Sequence, residues 1–305
     1  MKQPFDLIKP AGIHKLPKPE TPVVLDLPES WSKENEGVYH LTDELATVIN
    51  VALALDQPLL VTGEPGCGKT TLAWAVARQL GASVLEFHTK STSVARDLFY
   101  TFDAVGRFHD ASVGDAGARD AARYVYYQAL GEAFRSDRSH VVLIDEIDKA
   151  PRDFPNDLLN ELDRKEFRVP EITPPLVFRQ QVRHFILVTS NSERRLPAPF
   201  LRRTLYYHIP YPSASELEDI LAMHTSDLQI SDSFVRLAVD RFMRLRAVED
   251  LSRKPATGEF IGWVRALHAL RLTEEDIDVP VAQLPAREVL VKIREDSERL
   301  SLESS

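Results

Sequence analysis

The chain has 305 residues, of which 44% are apolar and 27% are charged, a composition typical of a globular protein with one large or two smaller domains. The net charge of −9 disfavours nucleic acid as a partner, because phosphate backbones attract basic surfaces. The one cysteine, Cys67, excludes an intrachain disulfide and no apolar run is long enough to span a membrane, so we expect a cytoplasmic protein that does not enter a membrane.

The first segment, residues 1–37, is rich in proline and has no clear helical or strand period. Proline fixes the backbone and removes an amide donor, so we expect an extended arm that wraps the domain or a partner. Apolar residues at helical spacing then predict a helix over 41–55 that ends near Asp56.

Strands and helices alternate after this helix. Short apolar runs predict strands at 58–63, 83–88, 140–146 and 184–191. Periodic segments predict the helices between them at 71–81, 122–137 and 155–166. The alternation is typical of a parallel sheet with helices on both faces.

From about residue 212 the pattern is helical only. Ser213 and Glu216 have the spacing of a capping box, which places the start of a helix there. Two apolar stripes follow, formed by Phe234, Ala238, Phe242 and Leu245 and by Phe260, Val264 and Leu267. We expect a small all-α domain over 212–297 and a frayed polar tail over 298–305.

A glycine-rich loop separates the first predicted strand from the helix that follows it. Residues 63–70 read GEPGCGKT, which fits the phosphate-binding pattern G-x-x-x-x-G-K-[S/T] in the strand–loop–helix context that it requires. Glycines let backbone amides turn towards phosphates, and the helix N-terminus adds positive potential. Lys69 is expected on the β- and γ-phosphates and the Thr70 hydroxyl on Mg²⁺. The residues expected around the nucleotide are Gly63, Glu64, Pro65, Gly66, Cys67, Gly68, Lys69, Thr70 and Thr71. We interpret Cys67 as a small filler of the loop, with a redox role as the alternative.

Three carboxylates follow the apolar run HVVLI, at Asp145, Glu146 and Asp148. Ligands of open α/β sheets bind at the carboxyl ends of strands, and successive strand residues point to opposite sides. We therefore expect Asp145 to hold Mg²⁺ through water or Thr70, and Glu146 to orient and deprotonate the attacking water. The alternative for Glu146 is a solvated acid at a helix start. Asp148 is expected to be structural and to pair with a nearby base.

Two further polar sites follow the third long apolar run. Asn191 directly follows FILVTS and is expected beside the γ-phosphate, where it helps to position the water. The alternative is that Asn191 is only a turn residue at the end of a strand. Arg202 and Arg203 stand together in the apolar segment FLRRTL, with no acid close by in sequence. Their charge therefore requires a partner from elsewhere.

Together these motifs resemble those of the AAA+ ATPases over about residues 38–270. GEPGCGKT is similar to Walker A, VVLIDEID to Walker B, Asn191 to sensor 1, and LRR to the segment that carries the arginine finger. The resemblance implies an α/β P-loop NTPase core over 38–211 with a parallel five-stranded sheet, followed by a helical lid, with ATP and Mg²⁺ bound between subunits. It favours Arg203 as the finger, and Arg202 as a second contact or an interface charge.

Within this superfamily the chain resembles the MoxR-like ATPases. Three segments show this resemblance. The first is the sequence DEIDKAP, the second is an aromatic-rich segment at about 95–111 in the position of the helix-2 insert, and the third is residues 166–184 in the position of a hairpin before sensor 1. The resemblance implies a homo-oligomeric, hexameric ring that remodels protein partners, often together with a von Willebrand factor type A domain protein. The aromatic residues are interpreted as packing on the core, with a partner surface at the ring opening or base stacking as alternatives.

The sequence departs from many relatives at the sensor 2 arginine. In KPATGEFIGW, Gly258 stands about where that arginine falls. Arg265 on the same predicted helix is our candidate replacement, and the alternative is that Arg265 is a surface charge. Arg253 is a weaker candidate.

Two other functional hypotheses stay open. One is a motor subunit linked to nucleic-acid processing that prefers GTP, and the other is a nucleotide-controlled assembly scaffold.

Overall fold

The structure is a computed structural model, and it describes residues 39–225, 228 and 230–302. The proline-rich arm expected over 1–37 lies outside the described residues. The strands are β1 Leu59–Thr62, β2 Ser83–His88, β3 Tyr100–Phe102, β4 Val125–Tyr127, β5 His140–Asp145, β6 Glu166–Val169, β7 Leu176–Arg179, β8 Phe185–Ser190 and β9 Leu205–His208. The α-helices are α1 Asp43–Leu55, α2 Lys69–Leu80, α3 Ala104–Ser112, α4 Ala129–Arg135, α5 Phe154–Asp157, α6 Leu159–Arg164, α7 Ala198–Leu201, α8 Ala214–His224, α9 Asp232–Arg246, α10 Thr257–Ala269, α11 Glu274–Ile277 and α12 Arg294–Leu302.

The main sheet has five strands in the order β2-β5-β8-β1-β9, and every neighbouring pair is parallel. All residues of β1 and β8 are buried, which explains why these strands read as continuous apolar runs rather than alternating ones. Because the strands are parallel, the carboxyl ends of β1, β5 and β8 meet at one edge. The parallel five-stranded α/β sheet expected from the sequence is confirmed.

The segment predicted as one helix over 122–137 divides into a strand and a helix, so this prediction is wrong in its first part. Residues Val125–Tyr127 form β4, which pairs antiparallel with β3 so that Tyr100 faces Tyr127. α4 begins only at Ala129. The excursion between β2 and α4 therefore extends well beyond the 95–111 expected for the insert.

The aromatic residues of this excursion divide between the core and the surface. Phe99 and Tyr100 are buried, and their rings lie 5.1 and 6.2 Å from that of Phe167 on β6. Phe108 on α3, by contrast, is 76% exposed. β6 and β7 form an antiparallel hairpin before β8, within the range where a hairpin was expected.

Helices α8 to α12 pack around a separate apolar cluster. The two predicted stripes meet in it, where the Phe242 and Phe260 rings lie 4.4 Å apart and Trp263 is fully buried. The frayed tail expected over 298–305 is wrong for its first residues, because α12 continues to Leu302 and Leu300 is buried in this cluster. Across the described residues, none of the helices has the length and apolar character that crossing a membrane requires.

Candidate nucleotide-binding site

A cleft of about 500 Å³ opens where the carboxyl ends of the central strands meet the helical part of the chain. Its volume is within the range of pockets that hold small ligands. The sheet side contributes Pro65, Gly66, Cys67, Gly68, Lys69, Thr70, Thr71, Asp145, Glu146, Thr189 and Asn191. The helical side contributes Glu216, Ile220, Met223, His224, Thr257, Gly258 and Ile261. A second cavity of about 590 Å³ lies within the helical part and contains none of the motif residues.

The glycine-rich loop is shaped by two close approaches. Gly66 and Gly68 have φ values of 78° and 95°, in the left-handed region that other residues rarely adopt. A Cβ atom on Gly66 would lie 2.5 Å from the Cβ atom of Ala256, and one on Gly68 would lie 3.0 Å from the Tyr39 ring. Burial raises the pKa of Tyr39, so its phenol is neutral where it covers the loop. Glycine is therefore required both for backbone angle and for space.

Lys69 begins α2 and is buried with its charge facing backbone oxygens. Its Nζ donates to Gly63 O and to Glu64 O, both at 2.9 Å. Among the described residues no carboxylate lies within ion-pair distance of this amine, although a buried cation needs a compensating anion. This environment fits an anionic ligand such as a phosphate.

Cys67 is buried in the same loop, and burial raises the pKa of its thiol. A protonated, buried thiol reacts slowly with oxidants. Its Sγ atom would lie 2.6 Å from a Cβ atom on Gly63, so the side chain fills the space beneath the loop. This favours the interpretation of Cys67 as a filler over the redox alternative.

Thr70 and Asp145 face each other across the cleft floor. The Thr70 Oγ1 donates to Asp145 Oδ1 at 3.1 Å, and Thr189 Oγ1 donates to the same oxygen at 2.6 Å. The second oxygen, Oδ2, lies 3.4 Å from His88 Nδ1. Within the described chain no cluster of three or more His, Cys, Asp or Glu residues is arranged to hold a metal. A hydroxyl and one carboxylate nevertheless fit Mg²⁺, which takes few protein ligands when phosphates and water supply the rest.

Glu146 ends β5 with a sharp backbone turn. Its φ of 55° is left-handed, and its N–H donates to Thr189 Oγ1 at 2.9 Å. Asn191 Nδ2 donates to Glu146 Oε1 at 3.1 Å, while Lys149 Nζ donates to Oε2. The structure thus brings Glu146 and Asn191 together in the cleft, as the strand-end argument predicted, rather than leaving Glu146 as an isolated solvated acid.

Asp148 is buried, but it pairs with backbone amides and not with the base that was expected. Its two carboxylate oxygens accept from the N–H groups of Asn191 at 3.3 Å and Glu193 at 3.0 Å. These contacts fix the backbone of the turn after β8, and so they fix the position from which the Asn191 side chain extends. The structural role predicted for Asp148 is therefore retained with a different set of partners.

The two adjacent arginines lie on the surface and do not line the cleft. Arg203 Nε donates to Asp163 Oδ2 at 2.7 Å, and its Nη1 donates to Pro199 O at 3.2 Å. Arg202 is exposed, and its side chain makes no hydrogen bond or ion pair with any residue that the structure describes. Neither arginine reaches the nucleotide site of its own chain.

The structure also keeps Arg265 away from the cleft, which corrects its assignment as a nucleotide contact. The cleft face of α10 consists of Thr257, Gly258 and Ile261, and Arg265 follows beyond the end of that face. Its Nη2 donates to His224 O at 2.7 Å, where a cation interacts favourably with the end of α8. Gly258 itself lines the cleft at the expected sensor 2 position, and no arginine is among the described residues that line it. A Cβ atom on Gly258 would meet nothing within 4 Å.

Arg253 does not line the cleft either, and its Nη2 lies 2.8 Å from Glu259 Oε1. Two residues that the sequence reasoning missed have a clear place in the site. Thr189 joins Asp145 to Glu146, and its signal was a hydroxyl inside an otherwise apolar strand. Arg246 reaches Glu64 of the loop from α9, and its signal was a basic residue one turn after the buried Phe242.

Comparison with known proteins gives one family and several distant relatives. Lon protease of Helicobacter pylori is 26% identical in an alignment that covers 64% of this chain and 24% of that protein. Lon protease homolog 2 of Zea mays, described as peroxisomal, is 26% identical over 65% of this chain and 22% of its own length. This chain thus spans about a quarter of the length of these curated relatives.

Among solved structures, a mutant RuvB from Thermotoga maritima has a TM-score of 0.44 and 15% identity, covering 76% of this chain and 70% of that chain. The family model described as AAA domain (dynein-related subfamily) matches residues 58–204. This match includes the glycine-rich loop, the acid-bearing strand β5 and the strand that leads to Asn191. Residues 58–204 of this chain are therefore a AAA domain of the dynein-related subfamily.

Proposed function

We propose that this chain is an ATPase that binds ATP with Mg²⁺ and hydrolyses it to ADP and phosphate. One observation carries the proposal: Lys69, the Thr70–Asp145 pair and the Glu146–Asn191 pair converge on a single cleft. A buried cation without a carboxylate partner, a candidate Mg²⁺ site and a carboxylate at hydrogen-bonding distance from an amide are the parts that hydrolysis of a nucleoside triphosphate needs.

The residues of this chain divide the work in the following way. The loop amides and Lys69 bind the β- and γ-phosphates and orient them towards β5. Thr70 and Asp145 would hold Mg²⁺, which when bound would supply positive charge against the phosphate oxygens. Glu146 takes a proton from water, and because Lys149 and Asn191 occupy its two oxygens, that water replaces one of these partners. Asn191 keeps the carboxylate directed into the cleft.

We further propose that Arg203 completes the site of a neighbouring chain as an arginine finger, with Arg202 as a second contact. Both side chains are exposed, and the Asp163 partner of Arg203 is itself half-exposed, so the pair can open without leaving a buried charge. Arginine fingers in related P-loop enzymes contribute roughly 10³–10⁵ in rate.

The remaining elements of the proposal follow from the resemblance to MoxR-like ATPases. We propose a cytoplasmic, hexameric ring that remodels protein partners, among them a protein with a von Willebrand factor type A domain. Two elements support this class: the β3–β4 excursion with the exposed Phe108, and the β6–β7 hairpin before β8. Stimulation by DNA or a preference for GTP would favour the motor hypothesis instead.

ATP binding and turnover measured on two variants test the proposed reaction. Lys69→Ala should lose ATP binding and keep its fold, because it removes the cation beneath the phosphates. Glu146→Gln should bind ATP as tightly as the wild type and hydrolyse it at least about a hundredfold more slowly, since it lacks the base. Normal ATP affinity in Lys69→Ala, or normal turnover in Glu146→Gln, would contradict the assignment. Full biological activity of Glu146→Gln would instead favour the scaffold.

A further inference from the structure

Arg246, the last residue of α9, is a buried cation with no role in the proposed reaction. It is 8% exposed, whereas arginines are normally solvated. Its Nη2 donates to Glu64 Oε2 at 2.5 Å, and its Nη1 donates to Pro255 O. Its Cζ lies 3.3 Å from the centre of the Tyr211 ring. A guanidinium with a carboxylate, a carbonyl and an aromatic ring as partners is fixed in place.

Glu64 connects Arg246 to the residue that is proposed to bind phosphate. The side chain of Glu64 accepts from Arg246, while its backbone carbonyl accepts from Lys69 Nζ at 2.9 Å. A path of direct contacts therefore runs from the helical part to Lys69 through one loop residue. The position of the Glu64 backbone therefore sets the position of one carbonyl oxygen that accepts from the Lys69 amine.

A second contact joins the same helical segment to the loop. Pro255, whose carbonyl accepts from Arg246, precedes Ala256, the N-cap residue of α10. The closeness of Ala256 to Gly66 means that the start of α10 rests on the loop, because a Cβ atom on that glycine would lie 2.5 Å away. Arg246 thus holds both the loop and the start of the helix that covers it.

In the described part of the chain no arginine lines the cleft, and α10 presents Gly258 there. Arg246 is therefore the arginine of the helical part that acts on the loop through direct contacts. We propose that Arg246 is the positioning residue through which the helical domain acts on the nucleotide site. Its ion pair with Glu64 holds the glycine-rich loop in the conformation that binds ATP. This inference rests on the ATP binding proposed above, and it assigns to α9 a role that α10 does not supply.

The test is ATP affinity, measured with Mg²⁺ by titration of the full chain and of Glu64→Gln, Arg246→Met and the double variant. Each single variant should bind ATP about tenfold more weakly, because the ion pair between Glu64 and Arg246 is lost. The double variant should bind no more weakly than Arg246→Met, since both changes remove the same pair. Arg246→Lys keeps the charge without the planar fork and should recover part of the affinity.

Arg244→Met is the matched control, because Arg244 lies on the same helix and pairs with Asp240 at the surface. It should leave ATP affinity unchanged. Glu64→Gln leaves the buried Arg246 without its carboxylate, so the melting temperature measured without ATP should fall. The further stabilisation that ATP gives should also be smaller than in the wild type. Wild-type affinity in Glu64→Gln, or losses that multiply in the double variant, would overturn the inference. Failure of the wild-type chain to bind ATP would overturn the proposed function and this inference together.

Discussion

Replacing Thr189 with valine removes one hydroxyl from the floor of the site and leaves the shape of the side chain nearly unchanged. Thr189 is fully buried, and its Oγ1 donates to Asp145 Oδ1 at 2.6 Å while it accepts from the Glu146 N–H at 2.9 Å. The variant loses a hydrogen bond to a charged group and leaves an amide without its partner. These two losses together amount to about 3 kcal/mol of unfolding free energy.

The unfolding free energy is measured by chemical denaturation, and the melting temperature should fall by about 6 °C. ATP turnover should fall about tenfold or more, because Asp145 and Glu146 lose the contact that aligns them with each other. Thr47→Val is the matched control, since the Thr47 hydroxyl donates to a backbone carbonyl on the exposed side of α1. If Thr189→Val and Thr47→Val have equal stability and equal turnover, the claim that this hydroxyl organises the two acids is wrong.

Two further predictions concern acid sensitivity and the loop. Burial, with His140 nearby, lowers the pKa of His184 to about 4, and its Nδ1 accepts from the His140 N–H at 3.2 Å. The unfolded state therefore binds more protons between about pH 6.5 and 4, and stability should fall as the pH falls through that window. In His184→Asn, whose amide oxygen can accept the same bond without titrating, the melting temperature should depend less on pH; equal slopes would contradict this reasoning. Gly66→Ala should weaken ATP binding through both strain and the contact with Ala256, whereas Gly114→Ala, with the same φ of 78° and open space, should leave ATP affinity unchanged.

Local patterns in the sequence predict those parts of the site whose conformation depends on residues that are close together in the sequence. The loop over residues 63–70 is defined by its own glycines, and β5 and β8 by continuous apolar runs, so their carboxyl ends could be assigned to one edge. That assignment was sufficient to bring Glu146 and Asn191 together.

Other features depend on residues that are distant in sequence. β4 is a strand because β3 pairs with it, and the periodicity of residues 122–137 does not contain that partner. The partners of Arg246 come from the loop and from Tyr211, so its role is visible only when the domains are assembled. Arg265 shares a helix with Gly258, but only the structure shows that the cleft ends before it.

The central claim is that ATP is hydrolysed at a site completed by a second chain, and a mixing experiment measures it most directly. Phosphate release is followed for Arg203→Ala alone, for Lys69→Ala alone, and for their mixture at constant total protein. Each variant alone should be inactive, because one lacks the finger and the other lacks the phosphate-binding cation. In the mixture, turnover should recover in part, since a wild-type Arg203 then meets an intact cleft on its neighbour. No recovery in a mixture shown to co-assemble would contradict the account.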